Sequence, residues 1–187
     1  QEADWEIACH GLRWISHQLM PEAEEREHIR HAFVLHKLLT GSTPLGWYTG
    51  RDSPNTRRLV MEQGGLLYDS DSYADDLPYW VKGPSAPHLV IPYTLDTNDM
   101  RFATAQGFHT GEQFFTYLKD AFDVLYAEGA DSPKLLNIGL HCRIVGRPAR
   151  LRGLQLFLDH VARHDKVWVC RRADIARHWH EHHRPVV

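Results

Sequence analysis

The feature that most limits what this chain can fold into is an alternation: short apolar runs ending in polar residues, each followed by a longer segment with apolar residues at helical spacing. Strand then helix, repeated, selects an α/β fold with a parallel sheet or barrel. Trp5 to Cys9 reads as a first strand. A helix follows from about Pro21, with Glu22, Glu24 and Glu25 at the positive end of its dipole, an apolar stripe of Ile29, Ala32, Phe33, Leu35 and Leu39, and Gly41 to end it. Leu45 to Tyr48 suits a short strand, and Ser53-Pro54 opens a second helix that runs to Gly64-Gly65. Leu66 to Tyr68 and Leu89 to Ile91 read as further buried strands, and the Asp-, Tyr-, Ser- and Pro-rich stretch from Asp69 to Pro87 predicts a long surface excursion between them. Thr110-Gly111-Glu112-Gln113 is a capping box, and Phe114, Leu118, Ala121, Phe122 and Leu125 form the buried face of the helix it starts. Leu135 to Leu140 predicts a strand, Pro148 to His164 a helix with Leu151, Leu154, Leu158 and Val161 inward, and Val167 to Val169 a last strand before a closing helix around Ile175 and Trp179. No repeat or linker interrupts the pattern, so residues 1–187 are expected to form a single domain.

Composition narrows the function classes. With 187 residues, 43% of them hydrophobic and 24% charged, the chain can build a sizeable core and is neither disordered nor a coiled coil. A net charge of −3 gives no electrostatic case for nucleic acid or an anionic membrane. No apolar run approaches the roughly 20 residues that span a bilayer, and Gln1-Glu2-Ala3-Asp4-Trp5 is unlike a secretory leader. Cys9, Cys142 and Cys170 show no CxxC spacing, which predicts reduced thiols and a cytoplasmic location. The chain starts on Gln1 and reads as strand by Trp5, so it is expected to be part of a longer protein.

In parallel α/β folds the chemistry sits at the C-terminal ends of strands. Four places qualify: Cys9-His10-Gly11-Leu12-Arg13-Trp14, Gly46 to Asp52, Tyr93 to Arg101, and Gly139-Leu140-His141-Cys142-Arg143. Strand alternation sets His10 and His141 against Cys9 and Cys142, so if the histidines face the barrel mouth the cysteines face the helices as core residues. Histidine suits proton transfer near neutrality, and Asp96 or Asp99 beside His141 could hold its tautomer. The turn-capping alternative for Asp96-Thr97-Asn98-Asp99 carries equal weight. Arg143 and Arg147 flank the His141 strand end and could bind an anionic or ureido group through planar guanidinium contacts. The run His178-Trp179-His180-Glu181-His182-His183 lacks zinc-protease spacing, because position 184 is Arg184. It reads as a solvated terminal helix.

Four strings carry a more specific likeness: Pro44-Leu45-Gly46-Trp47-Tyr48-Thr49-Gly50-Arg51, Ser53-Pro54-Asn55-Thr56-Arg57-Arg58, Pro92-Tyr93-Thr94-Leu95-Asp96-Thr97-Asn98-Asp99 and Gly139-Leu140-His141-Cys142-Arg143. From Trp5 to Trp179 the chain resembles the allantoinase branch of the polysaccharide-deacetylase (NodB-like) superfamily. The resemblance implies a distorted, TIM-like (β/α) barrel, here incomplete at its N-terminus, and a cytoplasmic hydrolase of purine catabolism that opens the hydantoin ring of allantoin to allantoate. Metal-dependent members of the superfamily use an early Asp and a His-x-x-x-His pair. Here His10 holds the first place of that pair and Trp14 the second, and indole offers no lone pair to a cation. The resemblance therefore implies no metal cofactor, with zinc held through His10 as the alternative. It gives His141 the role of general acid toward the leaving nitrogen and Asp96 or Asp99 that of orienting it. His10 would position substrate or activate water, and Trp14, Trp47, Tyr48, Arg51, Asn98 and Arg143 would line the pocket. The expected partner is a small molecule, allantoin, with neither nucleic acid nor membrane, and the full-length form is expected to be a homo-oligomer. A zinc-dependent carbohydrate N-deacetylase, or an inactive fragment, is the rival reading.

Overall fold

The helix opened at Pro21 is the first regular element, α1 (Glu22–Thr40). It starts on three glutamates in its first turn and stops at Gly41, whose φ of 80° lets its N–H bond the Lys37 carbonyl. In the computed structural model, which describes residues 2–185, α1 belongs to one of two compact units. This first unit is built from the chain up to Pro92 and from Cys170 onward; the second is Tyr93–Val169.

In the first unit α1 buries Ile29, Ala32 and Phe33 in a cluster with Cys9, Trp47, Leu59 and Val60. Leu59 and Val60 come from α2 (Thr56–Gln63). Leu35 and Leu39, expected inward, are 44% and 80% exposed. The inward arc is narrower than the apolar stripe, and it includes Glu25. That fully buried carboxylate accepts from Ser53 Oγ at 2.6 Å and from Thr56 Oγ1, and lies 3.1 Å from His17 Nδ1. Charge can be buried at this point because both oxygens are bonded.

The sheet has four strands, β1 (Gly46–Trp47), β2 (Tyr68–Asp69), β3 (Tyr79–Val81) and β4 (His88–Val90), in the order β1-β2-β4-β3. β1 pairs with β2 and β2 with β4 in parallel, whereas β3 runs antiparallel to β4. The predicted excursion from Asp69 to Pro87 therefore contains a strand, and the aromatic and β-branched run Tyr79-Trp80-Val81 is what supplies it. The predicted first strand shrinks to a single parallel bridge from Cys9 to Trp47, with Trp5 78% exposed and Ile7 42% exposed. Helix α6 (Arg172–His182) buries Ala173, Ile175 and Ala176, and Glu6 accepts from the Ala173 N–H at 2.8 Å.

In the second unit α3 (Gly111–Glu128) begins as the capping box foretells: Thr110 Oγ1 accepts from Gln113 N at 3.1 Å, while Gln113 Oε1 reaches back to His109 N at 2.7 Å. It packs on α5 (Pro148–Val161) around Phe108, Phe114, Leu118, Phe122, Val145 and Phe157. The buried residues of α5 are Gly153 and Phe157, and Leu154 and Val161 pack against the same cluster as predicted, whereas Leu151 and Leu158, also expected inward, are 38% and 53% exposed. Leu135 to Leu140 and Val167 to Val169 carry no strand ladder; Trp168 and Val169 are 60% and 82% exposed. No strand is described in this unit to pair with either run. Among the described residues no helix is long and apolar enough to cross a membrane.

Candidate functional site

The second unit brings a carboxylate and an imidazole together by local means. Thr97 is pinned through its hydroxyl to the Asn137 carbonyl. Asn98 caps the 3-10 turn Asp99–Ala103, its side chain accepting from Met100 N at 2.8 Å and its amide donating to Tyr93 OH at 2.9 Å. Asp99 N donates to the Gly139 carbonyl at 2.9 Å, which ties the turn to the segment carrying His141. A Cβ on Gly139 would lie 2.2 Å from Asn98 Nδ2 and 2.3 Å from Tyr93 Oη, so any larger residue there must displace the Asn98–Tyr93 pair.

Asp99 is fully buried and its side chain accepts three bonds. Oδ1 lies 2.6 Å from His141 Nδ1, and Oδ2 accepts from His141 N at 2.8 Å and Val145 N at 3.1 Å. His141 is the N-cap of the one-turn helix α4 (Cys142–Val145), and its side chain keeps 29% exposure. The carboxylate fixes the proton on Nδ1 and leaves Nε2 to meet a reacting group, the geometry of an oriented acid–base histidine.

Asp96 takes no part in this. It is exposed, accepts from Thr94 Oγ1 and from Tyr117 OH at 3.3 Å, and its carbonyl accepts from Arg101 at 3.0 Å, which is turn capping. Asn98 is 4% exposed and occupied as a cap, so it is framework and not lining. Arg143 is exposed on α4. Cys142, expected to be a core residue, is exposed as well, because α4 turns it outward at its first position.

In the first unit, His10 follows the bridged Cys9 and is exposed. Its Nδ1 donates to the Tyr48 carbonyl and its ring stacks on the Tyr48 ring, centroids 5.4 Å apart and planes 4° from parallel. Because a carbonyl only accepts, Nδ1 carries the proton and Nε2 the lone pair. Tyr48 OH meets Tyr73 OH at 3.1 Å. The Arg51 guanidinium sits over the Trp14 ring, 4.0 Å from its centroid. Trp47, expected to line a pocket, is 1% exposed in the core, packed on Phe33 at 6.0 Å; strand alternation that turns Tyr48 outward turns Trp47 inward. Cys9 is core as predicted, and burial pushes its thiol up.

A metal centre of the deacetylase kind does not fit these residues. His10 offers one nitrogen, Trp14 offers none, and a guanidinium lies against the indole where a cation would have to be received.

The end of β2 carries a further group of polar residues that were not singled out in the sequence. Asp69 is 1% exposed and held by Arg57, with bonds of 3.0 and 3.2 Å, and by His88 at 3.0 Å. Burial works to raise its carboxyl, but His88 and Arg57 hold it below the usual range. Asp71, two residues on, receives the N–H groups of Gly50 at 2.7 Å and Thr49 at 3.0 Å. Burial pushes its carboxyl up to about 7 against those bonds. The string Tyr68-Asp69-Ser70-Asp71 at the end of an apolar run was the available signal.

No family model matches the chain. It is 44% identical to a Schizosaccharomyces pombe protein named as a polysaccharide deacetylase, over 98% of this chain and 62% of that protein. Among solved structures it is similar to PuuE allantoinase, at 64% identity and a TM-score of 0.95, covering 97% of this chain and 61% of the other. It is also similar to a Pseudomonas aeruginosa PAO1 protein named as a polysaccharide deacetylase, at 65% identity and a TM-score of 0.92, covering 95% and 60%. The chain thus spans about three fifths of the length of each of these relatives.

Proposed function

The chain belongs to the polysaccharide-deacetylase superfamily, and from that premise we propose that it is the part of an allantoinase that carries the proton-donating histidine. The observation that carries the reading is the buried Asp99 bonded through one oxygen to His141 Nδ1 and through the other to the backbone N–H groups of His141 and Val145. Water adds to the hydantoin carbonyl and sheds a proton to solvent, the carbon–nitrogen bond breaks, and protonated His141 delivers a proton from Nε2 to the departing nitrogen. Asp99 keeps the ring's tautomer and faces the imidazolium. His10, Tyr48, Arg51 and Trp14 are proposed to bind substrate, His10 through Nε2; Arg143 is proposed to serve the ureido group. The similarity to PuuE allantoinase at 64% identity supports allantoin as the small-molecule substrate. The unpaired cysteines fit a cytoplasmic enzyme.

Replacing His141 by Ala in the full-length enzyme should lower kcat for allantoin on the order of a hundredfold or more, with KM little changed. Near-normal turnover would remove His141 from the chemistry. Zinc-dependent N-deacetylation of sugars is disfavoured by the Trp14–Arg51 pair, which leaves His10 without a fellow ligand on its own segment.

A further inference from the structure

The second unit holds one more group of side chains with a defined chemistry, and it lies on the outside of the α3–α5 pair. Asp123 is on α3, His160 is in the last turn of α5, and His164 follows one turn later at i,i+4. Each offers one ligating atom, all three atoms lie within 4.8 Å of one another, and all three residues are half-buried. We propose that these residues form a binding site for a zinc-class divalent cation that staples α5 to α3.

Three observations support the assignment. His160 Nε2 lies 2.6 Å from Asp123 Oδ1, so one nitrogen and one carboxylate oxygen already converge. His164 Nδ1 lies 2.9 Å from the His160 carbonyl and must be the donor there, which leaves the lone pair of the neutral ring on Nε2. An imidazole steered by one ring N–H on a backbone carbonyl, with the other nitrogen available, is the usual posture of a ligand histidine. The rings are also walled in. Phe122 meets His160 and His164 edge-on at 5.7 and 5.0 Å, and Tyr126 meets His164 at 4.9 Å, so little rotamer freedom is left to lose on binding.

Two imidazoles and one carboxylate suit zinc better than calcium or magnesium, which prefer all-oxygen shells. Half-burial leaves water to complete the coordination. Entry of the ion requires the neutral His160 ring to carry its proton on Nδ1 instead of Nε2, and widens the His160–Asp123 pair to roughly 3.3 Å, the spacing of tetrahedral ligands at ordinary zinc distances. Lys119, whose ammonium bonds the second Asp123 oxygen at 2.6 Å, opposes the ion and weakens the site without blocking Oδ1. The site owes nothing to the Asp99–His141 reading, and allantoin turnover is not its readout.

The test is titration of chelator-stripped full-length protein with zinc chloride, by calorimetry and by thermal melting. Expected is one equivalent whose Kd weakens about tenfold or more in Asp123→Asn and in His164→Gln. The same equivalent should be untouched in the control His178→Gln/His182→Gln and tightened in Lys119→Gln, a surface change that keeps the test alive should the ligand variants fold poorly. The melting temperature should rise with zinc in the parent and in Lys119→Gln. Absence of any zinc uptake, or affinity that none of the Asp123, His164 and Lys119 variants alters, overturns the proposal.

Discussion

Asp71 is a residue whose burial disfavours its charge, so the fold loses stability as rising pH forces it to ionise. Its folded carboxyl titrates at about 7 against an ordinary value of 3.8, so between those limits the folded state keeps a proton that the unfolded chain has released. The contribution to stability is complete below the ordinary value and is lost as pH climbs toward 7. Asp71→Asn retains an acceptor for the Gly50 and Thr49 N–H groups and removes the titration. The stability difference between variant and parent, from urea midpoints at pH 4 and pH 7, should therefore shift in favour of the variant at the higher pH; a difference that stays flat would contradict the burial account. At this scale the sequence was informative in type and ambiguous in choice. Asp96 and Asp99 were equivalent as letters, and only the Gly139 carbonyl, which receives the Asp99 N–H, decides which one turns inward to His141. Trp47 and Tyr48 were both offered as lining, although the two-residue period of a strand allows only one of them to face outward.

At the scale of elements, the helices were readable because their ends are written in side chains. Gly41, Thr110 and Pro148 each stand at or beside a boundary for a stated reason, capping or φ. The strands were less readable because they are two or three residues long, and pairing depends on partners remote in sequence. Leu135 to Leu140 has the apolar content of a strand and no ladder, since composition cannot supply a neighbour. What the helix pattern missed was the seam between α3 and α5. Gly111 and Gly153 face each other there so closely that a Cβ on Gly153 would lie 2.2 Å from the Gly111 carbonyl oxygen. Gly153→Ala must push the helices apart, and we expect a loss of about 1–3 kcal/mol despite the better helix propensity of alanine. Thermal melting checks this; a stabilised variant would mean that the seam is loose.

At the scale of the whole molecule, the α/β class followed from the alternation of runs, and the likeness to PuuE allantoinase over 97% of the chain agrees with it. The proposed function carries one expected outcome for the full-length protein: allantoin turnover should survive exhaustive chelation, because Trp14 has no lone pair to give and Arg51 already occupies its face. Turnover abolished by chelator and restored by zinc would reverse that reading. The bonds made by Asp99 have a further consequence. The same carboxylate that holds the His141 ring also accepts from the amides of His141 and Val145 at the two ends of α4, so the imidazole is aimed by an acceptor that is itself anchored in the backbone. Its orientational freedom is surrendered once, when the chain folds, and none of that loss recurs at each encounter with substrate.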